Sequence, residues 1–366
     1  MDAYRDQPLD IAVIAPSRFP ISEPYAGGLE VVVAKEVRAL RERGHRVTLF
    51  AAAGSDGHVR SVEFTVMAAA SGSGDISYPP GGVEADAAEF HLVMDHLAVS
   101  GVDVVLNHSL SHVPLERAAD LDAVMITTLH CPRVDPMQDA LDRHGAAAGR
   151  VMAVSRSVLG SWRIPQGADV VLNGVETRIW RPRPLPERPP RAVWCGRIVP
   201  EKAPHLAIDA ALAAGLTLDL AGRIGDPDYM STVVAPRLRD AGDAVRFHGA
   251  LGRDALVPLV AGASVALVTP CWEEPFGLTA VEALACGTPV VALARGGIRE
   301  ILSGQPGVIL VEAGRDPVPA LAAAIPAALT LDRVATARAA AAAFSHEARI
   351  DRLEGHLRDL LVGAAS

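Results

Sequence analysis

Short apolar runs alternate with helix-length stretches through most of the chain. Residues 11–15 (Ile-Ala-Val-Ile-Ala) are apolar without a break, as a strand covered on both faces requires. A loop carrying Gly27 and Gly28 follows, then a predicted helix over 29–43 that Gly44 stops. Strand patterns return at 46–50, 103–107, 123–129 and 151–154. Residues 53–85, rich in Gly, Ser, Pro and Ala, break the alternation and read as an irregular insertion. Strands separated by helices predict βαβ units and a parallel sheet.

The stretch 181–190 holds five prolines, which remove amide donors and fix φ, so it reads as a linker. Beyond it the alternation begins again, with strand patterns at 192–195, 217–220, 245–248, 265–269 and 289–292. The Ala-rich run 335–343 is good helix former, and a last helix is predicted over roughly 346–362 with no strand after it. The expected architecture is α/β, with two Rossmann-like domains, 1–182 and 183–345, and a C-terminal helix over 346–366 that crosses back to the first domain. Ligands of such open sheets bind at the carboxyl ends of strands, so functional residues are expected just after strands, in the cleft between the domains.

Composition narrows the function. No apolar run reaches the roughly 18 residues of a membrane span. The first ten residues lack the basic-then-apolar pattern of a signal peptide. Net charge is -9, and residues 1–185 hold 17 basic against 23 acidic side chains. An acidic half argues against nucleic acid and against stable association with an anionic membrane. Four cysteines without CxxC spacing argue against a zinc site or a disulfide framework, and a cytoplasmic protein is expected. Of 34 basic residues only Lys35 and Lys202 are lysines, so a lysine at 202 suggests a specific need for an ammonium group.

Two segments that follow strands carry candidate chemistry. In Gly196-Arg197-Ile-Val-Pro-Glu201-Lys202, an arginine fork and a mobile lysine charge stand where they could clamp a diphosphate. In Glu274-Pro-Phe276-Gly277-Leu278-Thr-Ala-Val-Glu282, a turn leads into a helix whose free amides suit a phosphate. Carboxylates at Glu274 and Glu282 can accept the paired hydroxyls of a sugar or ribose. The plainer alternatives are a solvated basic loop, a helix-capping Glu274 and a surface acid at Glu282. That last reading conflicts with the apolar run after Glu282, where an acid needs a partner.

These segments resemble the pattern of glycosyltransferase family 4, a group of GT-B enzymes, in a G-R-x-x-x-x-K loop and an E-x-F-G-x-x-x-x-E motif. Ala26-Gly-Gly-Leu-Glu30, Thr128-Leu-His130 and Asn173-Gly-Val-Glu176 resemble further pieces of the pattern, in order, so the likeness covers nearly the whole chain. Ala203 stands where the family usually has glycine, and Cys271 and Trp272 replace small polar residues. The resemblance implies a GT-B fold and a retaining transferase that moves a hexose-type sugar from a nucleoside diphosphate to a hydroxyl acceptor, without a metal or other cofactor. It implies that Arg197 and Lys202 hold the diphosphate and that Glu282 binds the ribose. Glu274, with the amides of Phe276, Gly277 and Leu278, would hold the sugar. Gly28 would admit backbone to the phosphate, and His130 would contact the sugar near the reacting centre.

In this mechanism cations and helix amides stabilise charge on the leaving diphosphate, where other transferases use a metal held by a D-x-D motif. The pairs Asp120/Asp122 and Asp226/Asp228 have that spacing, but the first precedes its strand. A glycoside hydrolase would need carboxylates about 5–10 Å apart, whereas Glu274 and Glu282 along one helical path would be about 12 Å apart. Ala26-Gly27-Gly28 is not the dinucleotide fingerprint. The remaining rivals are a sugar-nucleotide 2-epimerase and a non-catalytic sugar-nucleotide-binding protein. The acidic first half favours a soluble small-molecule or glycan acceptor, and uridine is preferred to guanosine as the base.

Overall fold

The computed structural model describes residues 7–56, 81–164, 166–182 and 189–364. The chain forms two compact units. One runs to Leu172 and resumes at Glu347; the other contains Asn173–His346. The division thus falls ahead of the Pro-rich stretch, of which residues 183–188 lie outside the described residues.

The first unit is built on six parallel strands: β1 (Asp10–Ile14), β2 (Arg46–Phe50), β3 (Val104–Asn107), β4 (Val124–Leu129), β5 (Arg150–Ala153) and β6 (Asp169–Val170). Their order is β2-β1-β3-β4-β5-β6. Alternate residues of β1 serve two cores. Ile11 and Val13 pack with Val33, Val37 and Leu40 of the helix Gly28–Glu42, while Ala12 and Ile14 pack with Phe90, Val93 and Met94 of the helix Gly82–Leu97. Helices on both faces explain why β1 is apolar without a break. The helix starting at Gly82 corrects the expected irregular insertion at its end, and residues 57–80 lie outside the described residues.

The second unit has strands β7 (Arg191–Cys195), β8 (Thr217–Ala221), β9 (Val245–Phe247), β10 (Val265–Val268), β11 (Val290–Leu293) and β12 (Val308–Val311), in the order β12-β11-β10-β7-β8-β9. All are parallel. Trp194, Leu218, Leu220, Leu267 and Leu293 pack against the helices Pro204–Ala213 and Val318–Ala328. The short strand β6 and the edge strand β12 add to the strands expected from the sequence.

Both sheets reverse their winding once, between β1 and β3 in the first and between β7 and β10 in the second. Connections leave in opposite directions there, which opens a crevice at the carboxyl ends of those strands.

The last helix, His346–Ala364, sends Ile350, Leu353, Leu357 and Leu361 into the core of the first unit, beside Ile11, Val13 and Val104. Among the described residues no single helix is long and apolar enough to cross a membrane. Leu353 is fully buried. Leu353→Ala is therefore expected to lower stability by about 2–5 kcal/mol, through lost transfer energy and a cavity. Exposed Arg352→Ala should stay within about 0.5 kcal/mol of the parent. Urea unfolding followed by circular dichroism measures both.

Candidate functional site

In the second unit the predicted residues gather at the carboxyl ends of β7 and β10. The loop after β7 places Lys202 Nζ 2.5 Å from Glu274 Oε2, across 72 residues of sequence. Glu274 belongs to the loop after β10. The Trp272 indole N–H donates to the same carboxylate oxygen at 2.8 Å, and the Lys202 ammonium lies 5.1 Å from the centre of the indole ring. Arg197, at the start of the β7 loop, pairs with Glu201 at 3.2 Å. The two cations thus each face a carboxylate of the same site.

The backbone of this cluster is held by features the sequence reading passed over. Thr269 accepts a hydrogen bond from the Trp194 indole at 3.1 Å, and its hydroxyl lies 3.0 Å from the Ala203 carbonyl and 3.2 Å from that of Lys202. Ala203 has φ 45° and is the one non-glycine residue at positive φ among the described residues. That conformation costs an L-residue about 1–2 kcal/mol. It explains why glycine is usual at this position in the resembled pattern. Glu274 is cradled from β11: the Gly297 amide donates to its carbonyl at 2.6 Å. A Cβ on Gly296 would lie 2.7 Å from the Glu274 amide nitrogen, so only glycine allows this approach.

Glu274 does not cap the helix Leu278–Ala285. Gly277 occupies the cap with φ 88° and no side-chain hydrogen bond to the first amides. A Cβ there would come 2.3 Å from Ile298 Cδ1. Leu278 opens the helix. The Phe276 ring is buried edge-on to Phe344, with centroids 6.3 Å apart, so its side chain packs while its amide belongs to the turn. Glu282 is buried inside the helix. It acts on Cys195 at the end of β7, whose thiol is pushed above its usual range by burial first and then by the Glu282 charge.

The first unit carries the other two predicted residues. Gly28 opens the helix Gly28–Glu42 after β1, and its cap, Gly27, is extended and offers no side chain to the amides. His130 directly follows β4 and joins a buried network. Its Nε2 lies 2.9 Å from His108 Nδ1, after β3, and His108 Nε2 lies 2.7 Å from Glu36 Oε1. Arg349 of the last helix approaches Glu36 Oε2 at 2.6 Å as an ion pair, without the alignment of a hydrogen bond. Burial above all holds His130 well below the usual imidazole range, with the Arg349 charge adding to that effect and Glu36 pulling the other way. Burial also opposes ionisation of Glu36, but the hydrogen bond with His108 and the Arg349 charge outweigh it and hold the carboxyl far below its usual range. Glu36, His108 and Arg349 carried no motif that would reveal them in sequence.

Aspartates of both D-x-D pairs are engaged elsewhere. Asp120 accepts from Arg117 at 2.8 Å, and Asp226 caps the short helix Pro227–Tyr229 through the Tyr229 amide.

Residues 26–179 match the model described as glycosyltransferase family 4, and residues 189–330 match that of glycosyl transferases group 1. The chain belongs to glycosyltransferase family 4. This family 4 chain is 36% identical over 237 residues to a D-inositol 3-phosphate glycosyltransferase of Geodermatophilus obscurus, a match covering 60% of the chain and 49% of the relative. It thus spans about half the length of that curated relative. Among solved structures it is similar to AviGT4, a glycosyltransferase involved in avilamycin A biosynthesis, with TM-score 0.68, 24% identity, and 97% and 99% of the two chains covered. It is also similar to Anabaena Alr3699/HepE in complex with UDP-glucose, with TM-score 0.71, 18% identity, and 96% and 100% covered. The fold is GT-B, with two Rossmann-like units.

Thr269→Val tests how the family 4 chain holds its β7 loop. The substitution leaves the buried Trp194 N–H without an acceptor and removes the hydroxyl that lies against the Lys202 and Ala203 carbonyls. Stability is expected to fall by about 1–3 kcal/mol. Nucleoside diphosphate affinity should fall with it if the loop's position matters to binding. Thermal unfolding and calorimetry with UDP report the two effects.

Proposed function

We propose that this chain is a retaining, metal-independent hexosyltransferase that moves a sugar from a nucleoside diphosphate to a hydroxyl of a soluble small molecule or glycan. The observation that carries this reading is the cluster of Lys202, Glu274 and the uncapped helix start at Gly277, where the second sheet reverses its winding. A cation and free amides suit a diphosphate leaving group, and a neighbouring carboxylate suits sugar hydroxyls. The UDP-glucose complex of the similar Anabaena protein supports uridine as the base. The inositol phosphate named for the Geodermatophilus relative supports a small polyol as acceptor.

In this reading Arg197 and Lys202 hold the diphosphate, and Glu282 takes the ribose hydroxyls. Glu274 and the amides of Phe276, Gly277 and Leu278 hold the transferred sugar. Gly28 and His130, from the first unit, are assigned to the phosphate and to the sugar near its reacting carbon. As the glycosidic bond breaks, its electron pair passes to the diphosphate oxygen. The acceptor oxygen attacks the anomeric carbon from that same face, and its proton leaves with the diphosphate. Positive charge placed before the reaction favours this transition state over the bound donor. A 2-epimerase would return an altered donor sugar, and a binding protein would return none, so product analysis separates these readings.

Two sets of variants test the assignment, with rates measured in EDTA throughout. Glu282→Ala should weaken binding of free UDP about tenfold or more, whereas Glu274→Ala should spare UDP and damage donor-sugar binding or turnover. Equal losses in calorimetry would contradict the division of roles. Lys202→Ala should lower turnover about 10²–10³-fold while changing donor affinity less. Lys202→Arg should also be poor, because a planar fork cannot occupy an ammonium's place beside Trp272 and Glu274 without displacing them. A fully active Lys202→Arg enzyme would show that charge alone suffices.

A further inference from the structure

The network behind His130 is costly if its only task is packing. Glu36 and His108 are fully buried and Arg349 is 4% exposed, while His130 keeps 9%. Buried charged pairs are often no more stabilising than apolar side chains of the same volume. What such a network does impose is direction. Glu36 is ionised and can only accept, so one of its oxygens faces Arg349 and the other takes a hydrogen from His108 Nε2. The Arg349 guanidinium already balances the Glu36 charge, so a neutral His108 completes the network without surplus buried charge. A neutral His108 with hydrogen on Nε2 has a bare Nδ1. That atom lies 2.9 Å from His130 Nε2, and with His108 neutral it is the acceptor of the hydrogen between them. His130, kept neutral by its surroundings, then has no hydrogen on Nδ1. Among the described residues, His130 Nδ1 has no hydrogen-bond partner.

We propose that Arg349, Glu36 and His108 are positioning residues that fix His130 as its Nε2–H tautomer, leaving Nδ1 as the acceptor for a hydroxyl hydrogen of the bound sugar. This rests on the reading of His130 as a donor-sugar contact. His130 is thereby an obligate acceptor, and it selects a sugar that offers a hydroxyl hydrogen in that place. The helix Gly28–Glu42, the loop after β3 and the last helix each supply one member of the chain, so the tautomer depends on three separate elements.

Glu36→Gln reverses the direction. A single amide oxygen must serve either Arg349 or His108, and the guanidinium, which can only donate, claims it. The amide N–H2 then faces His108 Nε2, which becomes an acceptor. His108 donates from Nδ1, and His130 is left with hydrogen on Nδ1. Nitrogen-15 NMR of histidine-labelled protein reads the tautomers directly, with His130 assigned by its loss in His130→Ala. The expected wild-type spectrum has hydrogen on His130 Nε2, and Glu36→Gln should move it to Nδ1. The same variant should lower kcat/KM for sugar transfer about tenfold or more while leaving UDP affinity unchanged. Added to His130→Ala it should cost little further, because the two act through one group.

A wild-type His130 with hydrogen on Nδ1 overturns the proposal, and that measurement needs no variant to fold. A tautomer that survives Glu36→Gln, or one that changes without effect on transfer, overturns it as well. If His130→Ala transfers sugar as fast as the parent, the placement of His130 at the sugar has failed instead, whatever its tautomer.

Discussion

Parallel strands must all leave the sheet at one rim, and from that constraint the rest of this molecule follows. Adjacent strands in such a sheet need not be neighbours in sequence. β7 pairs with β10, so the loops after them lie side by side, and Lys202 meets Glu274 although 72 residues separate them. β3 pairs with β4, with Asn107 opposite Thr127, and the loops after those strands bring His108 to His130. The chemistry is assembled by strand order, and individual loops need little structure of their own.

Within the second unit, loop conformation is dictated by close backbone approach. Gly296 and Gly297 let the chain after β11 press against Glu274. Gly277 turns the chain into its helix at φ 88°, a left-handed conformation that glycine takes without strain. Ala203 accepts a left-handed conformation behind Lys202, held by the Thr269 hydroxyl. Trp272 occupies a place the resembled pattern gives to small polar residues, and it binds both members of the ion pair, one through its N–H and the other through its ring.

Much of this was legible in sequence because it is local. Buried parallel strands show as apolar runs, and the Glu274-to-Glu282 motif lies on a single turn and helix. What stayed hidden depends on contacts between distant segments. Strand β6 is only two residues long and one of them is Asp169, and Phe276 gave no sign that its ring packs on Phe344. Glu36 sits among ordinary helix residues, and Arg349 is one of many arginines. Only the packing of the last helix on the first unit brings them together. The last helix itself could be read, but its residues with consequences for the site could not.

That packing also bears on how the protein is made. Synthesis on the ribosome runs from the amino terminus, and domains generally fold in that order. Here the first unit lacks Ile350, Leu353, Leu357 and Leu361 until the whole second unit has been made, so its apolar surface stays uncovered while the second unit emerges and can close on its own residues. Emergence of the helix His346–Ala364, rather than of residues 7–172, is the event that seals the core around β1 and delivers Arg349 to Glu36. A polypeptide released early would carry every predicted sugar-handling residue and still lack the segment that closes its oldest part.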